Sequence, residues 1–358
     1  MQHSVVSTRT AMLRAMPRAC VGASRRPRPA AALRGRRARA LPWGSCLDLP
    51  PMLPDTSRTD GPLGPRDFVL YAVCVLIFGS GWLPLKLQLG VVAPEVSGTW
   101  RFLVATLAML VFVIATRAPL AFKARDHLLF AGLGATLFSL NFLFFYYAGY
   151  HLPSGLLSVI FSLTAILVPL FSALLLGVPL RRQILGGALA GIAGTALVFG
   201  PSLADGRGID GAGVGLALGV AGTVCFSFGS LLSGVAGRRG IPMASTSFWG
   251  FAYGFLILLI ISLVRGAPFI VDWSVRYLGS LGFLIVVQTL AGFAVYIQLI
   301  RNIGANRAGY GTVMFPIVAL FLSTLFEDYH WTLTAAAGIA LVLAGNLLVL
   351  RQPKPAAG

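Results

Sequence analysis

Four charged side chains are the residues of this sequence best placed to do chemistry. Lys86 and Arg101 sit near the ends of two long apolar stretches, Glu95 lies between them, and Glu327 follows another apolar stretch far along the chain. Two cations in such positions suit the attraction of an anionic or zwitterionic ligand, with Glu95 available to neutralise one of them. Long cationic side chains at the ends of apolar helices also snorkel to a polar boundary without lining anything. A second group is polar or aromatic. Asn141, Tyr146 and Tyr147 fall in one apolar stretch, and Gln288, Tyr296 and Gln298 in another. An amide is costly to bury unpartnered, so these residues face either a ligand or a neighbouring helix. Trp82 and Trp100 either stack on a ligand or belong to an interfacial belt. The histidines (His3, His127, His151, His330) are scattered, and the cysteines (Cys20, Cys46, Cys74, Cys225) have neither CxxC spacing nor a metal-ligand cluster. No metal and no cofactor is therefore expected. A phosphate loop of the G-x-x-x-x-G-K-[ST] type is also missing, which argues against nucleotide-driven work by this chain.

The elements that must position these residues are set by composition. Of 358 residues, 57% are apolar and only 11% charged, against about a quarter charged in soluble domains. Residues 127–180, 211–237, 240–264, 277–300 and 308–326 contain no Asp, Glu, Lys or Arg. About 20 apolar residues cross a bilayer as a helix, and lipid leaves open backbone groups without partners, so such runs must be helical. The predicted class is an all-α polytopic membrane protein with ten transmembrane helices. They lie near 67–89, 96–116, 127–149, 154–176, 183–200, 212–236, 243–264, 276–300, 308–326 and 332–350.

Charge tests this layout. Alternate loops on one side hold Arg117, Lys123, Arg125, Arg181, Arg182, Arg238, Arg239, Arg301, Arg307, Arg351 and Lys354; the other side holds Arg207, Arg265 and Arg276. Positive loops stay cytoplasmic, which puts both termini there. The net charge of +17 does not imply nucleic acid, because twelve of the 28 basic residues lie in residues 1–66 and most others in short loops. The tail at 1–66 is expected to be disordered. It reads either as a targeting segment or as sequence upstream of a start at Met52.

The chain also resembles itself. "SGLLSVIF" (154–161) aligns with "AGYGTVMF" (308–315), "FGS" at 78–80 with "FGS" at 228–230, and Trp100 falls close to Trp249. After a short shift, Gly187 and Gly194 align with Gly338 and Gly345. Each half then carries five spans, and an odd number forces the second copy to enter the membrane from the opposite side. Two inverted five-helix repeats, 67–200 and 212–351 with a cytoplasmic tail at 352–358, are the arrangement used for alternating access. Helix breakers recur in the repeats: Gly79, Gly81 and Pro84, then Pro169, then Pro316. The small-residue faces of "GGALAGIAG" (186–194) and "GIALVLAG" (338–345) suit a helix–helix or homodimer contact.

Three segments resemble the drug/metabolite transporter superfamily, and within it the EamA-type transporters. They are "FGSGWLPLKLQLG…PEVSGTWRFLVA" (78–105), "LFFYYAGYHLPSGLLSVIFSLTAILVPLFSALLLG" (143–177) and "MFPIVALFLSTLFEDYHWTLTAAAGIALVLAGN" (314–346). The resemblance spans 67–351 and carries Lys86 and Arg101 at the family's usual Lys and Arg. It departs at Val178, where an acidic residue is common, while Glu327 stands at the counterpart in the second half. It implies a non-enzymatic secondary transporter of the cell membrane (a bacterial inner membrane), exporting small metabolites or drugs by alternating access. The partners implied are the lipid bilayer and a small-molecule substrate. Lys86, Arg101, Asn141, Tyr146, Tyr147, Gln288, Tyr296, Gln298 and Trp82 are the expected cavity residues, and Glu327 and Glu95 the candidates for coupling. A membrane-embedded enzyme and a channel are the competing readings.

Overall fold

A computed structural model describes residues 64–177, 179, 182–204, 211–292, 294–296, 298–299, 302–303 and 311–350. The tail before residue 64, Val178 and the segment 351–358 lie outside the described residues. Among the described residues the regular structure is entirely helical. Eight helices are long and apolar enough to cross a membrane. They are α1 (Pro65–Leu87), α2 (Pro94–Ala115), α3 (Ala124–Gly149), α4 (Ser154–Leu176), α5 (Arg182–Ala204), α6 (Ala212–Arg238), α7 (Met243–Val264) and α8 (Val275–Tyr296). Two shorter apolar helices follow, α9 (Gly311–Phe326) and α10 (Leu333–Leu350). Each coincides with a segment expected from hydropathy.

Large apolar side chains such as Leu107, Val111, Leu128, Leu189 and Val264 point outward and are exposed. The same helices turn Ser97, Thr99, Arg101, Asn141, Ser227 and Thr289 inward. That reversal of the soluble pattern matches an exterior solvated by lipid. The chain is a multi-pass membrane protein.

Four helices depart from regular winding. In α1 the helix Pro65–Ser80 gives way at Gly81 to a short one, Trp82–Leu87. Pro84 has no N–H to offer the Ser80 carbonyl, which is the bond a continuous helix would make there. In α3 and α8 the winding loosens into π-type turns at Thr136–Leu140 and Phe283–Ala291. Each is bridged by a hydroxyl reaching back five residues: Ser139 Oγ donates to Gly134 O (2.8 Å) and Thr289 Oγ1 to Leu284 O (2.7 Å). These are the third helices of the two halves, so the same irregularity occurs twice. The break in α4 lies at Leu163 rather than at Pro169, which sits inside the helix Thr164–Leu176. Leu163 adjoins Ser162, the position that aligns with Pro316.

Packing between the halves is reciprocal. Helices α5 and α10 cross with Gly194 against Gly338 and Gly187 against Gly345. A methyl built on Gly194 would lie 2.5 Å from the Gly338 carbonyl oxygen, and one on Gly338 equally 2.5 Å from that of Gly194. Sequence numbers rise along one helix as they fall along the other, so the two run antiparallel. Helices α2 and α7 do the same, with Gly98 against Leu258 and Phe102 against Phe251. The pairing of α3 with α7 has its counterpart in α8 with α2, and that of α4 with α6 in α9 with α1. The small-residue faces of α5 and α10 are filled by one another within the chain, so a homodimer contact would need a different face.

Gly194→Val and Gly338→Val should each destabilise the protein by about 1–3 kcal/mol through overpacking. Gly200→Ala, where no atom of another described helix lies within 4 Å of the new methyl, should be neutral. Thermal unfolding of the detergent-solubilised protein followed by circular dichroism measures both.

Candidate functional site

The connections α1–α2, α3–α4, α7–α8 and α9–α10 gather at one end of the bundle. Two ion pairs there cross from the first half to the second. Lys86 Nζ lies 3.1 Å from Glu327 Oε1 and donates to Leu152 O at 3.0 Å. Glu327 also accepts the Ser154 backbone N–H at 3.0 Å and a short hydrogen bond from Ser154 Oγ. Ser154 opens α4, so the carboxylate satisfies orphan donors at a helix N-terminus, where a negative charge is favoured. The Lys86 head is therefore held by protein groups, and snorkelling alone does not account for it.

The second pair is Arg265 Nε with Glu95 Oε1, 3.5 Å apart. Tyr147 donates to Glu95 Oε2 at 2.8 Å and accepts a short hydrogen bond from Arg265. Glu95 thus neutralises Arg265, and neither Lys86 nor Arg101. Around it lies an open hollow of about 790 Å³, lined by Gly90, Pro94, Glu95, Tyr147, Tyr150 and Arg265 among others. Burial raises the Tyr150 phenol above its ordinary range; a backbone hydrogen bond to Gly90 opposes this and the Glu95 charge adds to it.

Arg101 is not part of a cationic rim. It lies six residues beyond Glu95, about 9 Å deeper along α2 at 1.5 Å per residue, and only 3% of it is exposed. Its Nη2 donates to Gln288 Oε1 (3.1 Å) and Thr289 Oγ1 (3.0 Å), and Nε to the same threonine (3.3 Å). The guanidinium lies over the Phe142 ring, 4.3 Å from its centroid. The Tyr146 hydroxyl neighbours Arg101 and donates to Gln88 Oε1 at 2.5 Å. Gln88, Arg101, Tyr146, Gln288 and Thr289 form one buried polar cluster built from α1, α2, α3 and α8. The break at Gly81 and the loosened turn of α8 make it possible. A side chain on Gly81 would collide with Gln288, and the π-type turn presents both Gln288 and Thr289 to Arg101.

Of the expected cavity residues, Arg101, Tyr146 and Gln288 meet in this cluster, while Lys86 and Tyr147 join Glu327 and Glu95 above it. Trp82 is buried against Phe145 and Phe161, with ring centroids 4.9 and 5.2 Å away, which places it in the core and not in an interfacial belt. Trp100 is partly exposed and donates to Ile270 O at 3.3 Å. Three residues fall elsewhere. Asn141 donates to Leu137 O of its own helix at 3.0 Å, so its amide is satisfied locally. Tyr296 stacks edge-on against Phe78 towards the opposite end, and Gln298 is exposed there and donates to Asn302 at 2.8 Å. Sequence reasoning missed Gln88, Thr289 and Ser154 and treated Arg265 only as a loop charge. Gln88 carried a usable signal, an isolated amide between Lys86 and the next span.

With this geometry in hand, comparison with known proteins gives the class. The EamA-like transporter family matches residues 68–200 and again 213–351. The chain belongs to that family, carries its domain twice, and is a membrane transporter. It is similar to the "Uncharacterized transporter YvbV" of Bacillus subtilis (strain 168), at 27% identity over 81% of this chain and 93% of the relative. It is also similar to a "Probable amino-acid metabolite efflux pump" of Escherichia coli (strain K12), at 23% identity over 81% of this chain and 97% of the pump. "Protein PecM" of Dickeya dadantii (strain 3937) matches at 27% identity over 79% and 91% of the two chains. A solved crystal structure superposes with a TM-score of 0.55 at 20% identity, covering 79% of this chain and 96% of that one, a likeness of fold alone.

The two members of the Lys86–Glu327 pair should not be equally important to stability. Glu327→Gln weakens the capping of α4 as well as the ion pair and should cost about 1–3 kcal/mol, in the range for buried hydrogen bonds to charged groups. Lys86→Met removes a cation that is 31% exposed and should cost less, within the range of partly solvated pairs. Thermal unfolding of the single and double variants gives the order and the coupling.

Proposed function

We propose that this transporter is a secondary carrier that exports small metabolites or drugs by alternating access. In this reading ten spans form two five-helix repeats, 67–200 and 212–351, inserted in opposite senses. Both termini face the cytoplasm, and the chain lies in a bacterial inner membrane. The observation that carries the reading is the antiparallel packing of corresponding helices, α5 with α10 and α2 with α7, together with the reciprocal contacts of the remaining pairs. A pseudo-two-fold axis in the membrane plane generates such a pattern, and rocking one half on the other opens a central site to either side in turn.

The distribution of polar groups fits the same mechanism. The Arg101 cluster lies between the halves, where a substrate passing through must go. Above it the Lys86–Glu327 and Glu95–Arg265 pairs tie the halves together at the outer end. At the inner end Asp126 of α3 and Arg239, just past α6, lie 3.3 Å apart and tie them again. Each ion pair joins first half to second, so opening either end means parting such a pair. Lys86, Glu327 and Glu95 act in this reading as gate residues, with Glu327 and Glu95 the groups available for coupling. The likeness to the probable amino-acid metabolite efflux pump of Escherichia coli supports efflux as the direction.

The reading is tested by reconstituting the full chain in liposomes. Single cysteines at Tyr150 (outer) and Asp126 (inner), in a background with the native cysteines replaced, should react with a membrane-impermeant maleimide from opposite sides. A cysteine at Thr289 should be protectable from either side. Labelling of Thr289 from one side alone, under every condition, defeats alternating access. Saturable counterflow of a substrate is expected of a carrier and not of a channel or an enzyme.

A further inference from the structure

The cluster around Arg101 holds more donors than acceptors. Arg101 Nη1 is buried and makes no hydrogen bond of regular geometry among the described residues, with the Tyr146 hydroxyl, already donating to Gln88, as a neighbour of the guanidinium; Gln88 Nε2 is likewise buried and unpartnered. Among the described residues, the groups that bond or stack on the guanidinium are neutral: the Thr289 hydroxyl, the Gln288 amide, the neighbouring Tyr146 hydroxyl and the rings of Phe102 and Phe142. The carboxylates of the outer layer are engaged elsewhere, Glu95 by Arg265 and Glu327 by Lys86. A buried cation without a counter-charge is costly, and buried donors left unpaired add to that cost.

The fold itself does not call for a cation at this point. In the other half the π-type turn of α3 carries Phe138 and Ser139 where α8 carries Gln288 and Thr289. Phe138 packs there against Gly250 and Phe251 of α7, its ring centroid 4.7 Å from that of Phe251. At the repeat-related site Phe138 meets a ring and a glycine, and the Ser139 hydroxyl is spent on carbonyls of its own helix. The charge and the orphan donors stand at one of these two related places and have no counterpart at the other.

We propose that Arg101, with Gln88 and Tyr146, is the binding site for the carboxylate of a small organic acid or amino acid. The carboxylate accepts from Arg101 Nη1 and Gln88 Nε2, and Phe102 and Phe142 flank its apolar body. A carboxylate fits better than a neutral acceptor because it supplies both the missing lone pairs and the missing charge. Charge-assisted bonds to a guanidinium are the strong ones. This inference rests on the carrier reading given above and names the substrate class for it.

The test is isothermal titration calorimetry on the full chain in lipid nanodiscs with matched pairs of probes. These are 3-phenylpropanoate against 3-phenylpropanamide, and L-phenylalanine against L-phenylalaninamide. At least one acid should bind saturably and at least tenfold more tightly than its amide. Arg101→Gln should lower the affinity for that acid at least tenfold and abolish the preference over the amide, while Arg101→Lys should recover part of it. Gln88→Met, which keeps the guanidinium and its partners, guards against a folding defect and should weaken acid binding with less effect on the amide. Equal affinity for acid and amide overturns the proposal, as does an acid preference that survives in Arg101→Gln, or the lack of saturable binding by either acid. If Thr289 labels from both sides yet acid and amide bind alike, the carboxylate site fails and the carrier reading stands. If binding depends on Arg101 but labelling is one-sided, the reverse holds.

Discussion

A lipid exterior offers no hydrogen bonds, so each polar atom of this chain must find its partner inside the bundle. Most do so within their own helix. Thr99, Thr106, Thr223, Ser227 and Ser262 each donate to the carbonyl four residues earlier, which removes their cost without committing them to a neighbour. The helices are then free to pack through small residues, as α5 and α10 do at Gly194 and Gly338. Against that background, side chains bonding from helix to helix stand out. Asn346 donates to Ser162 Oγ at 3.0 Å between α10 and α4, and Ser97 bonds Tyr277 at 3.0 Å between α2 and α8. His127 bonds Tyr253 at 3.1 Å between α3 and α7, and a further group gathers where the halves meet, in the Arg101 cluster and the three ion pairs.

The scaffold is repeated but the chemistry is not. Loosened turns occur in both third helices, each bridged by a hydroxyl, and antiparallel partners face each other across the molecule. The residues carried on this frame differ: Gln288 and Thr289 meet Arg101 on one side, and Phe138 meets Phe251 on the other. Mirrored scaffolds allow two end states of similar energy, because each half can adopt the arrangement of the other. In the proposed carrier, a single polar site placed off the symmetry gives one place for a substrate to be recognised.

How much of this was legible in the sequence depends on the length scale. Hydropathy located the helices because a bilayer fixes their length, and the offset repeats exposed two halves. Depth and azimuth were harder to read. Gln288 and Gln298 lie ten residues apart in the sequence, yet one reaches Arg101 and the other is exposed near Asn302. Lys86 and Arg101 appeared equivalent as cations near helix ends, yet one is 31% exposed on its side chain and the other buried. The difference comes from the break at Gly81 and the turn of α8, which no pairwise spacing encodes. Arg265 looked like a loop charge because its partner, Glu95, is 170 residues away in the sequence.

The depth of these groups also decides what each can do. Lys86 and Arg265 keep 31% and 54% of their side-chain surface exposed, so parting them from Glu327 and Glu95 exchanges protein contacts for water at modest cost. Ion pairs of this kind suit a closure that must open repeatedly. Arg101 has no such exchange available: it lies among rings and neutral hydrogen-bonding groups, and uncovering it gains solvation while losing the contacts with Gln288 and Thr289. In the proposed carrier the two layers act in sequence. The outer pairs set how readily the halves separate, and the buried guanidinium sets what is held when they close. A ligand that bonds Arg101 between the halves favours the closed arrangement only to the extent that it binds that arrangement more tightly than the open one. A carboxylate meets this condition, since its attraction to a cation strengthens as water is excluded.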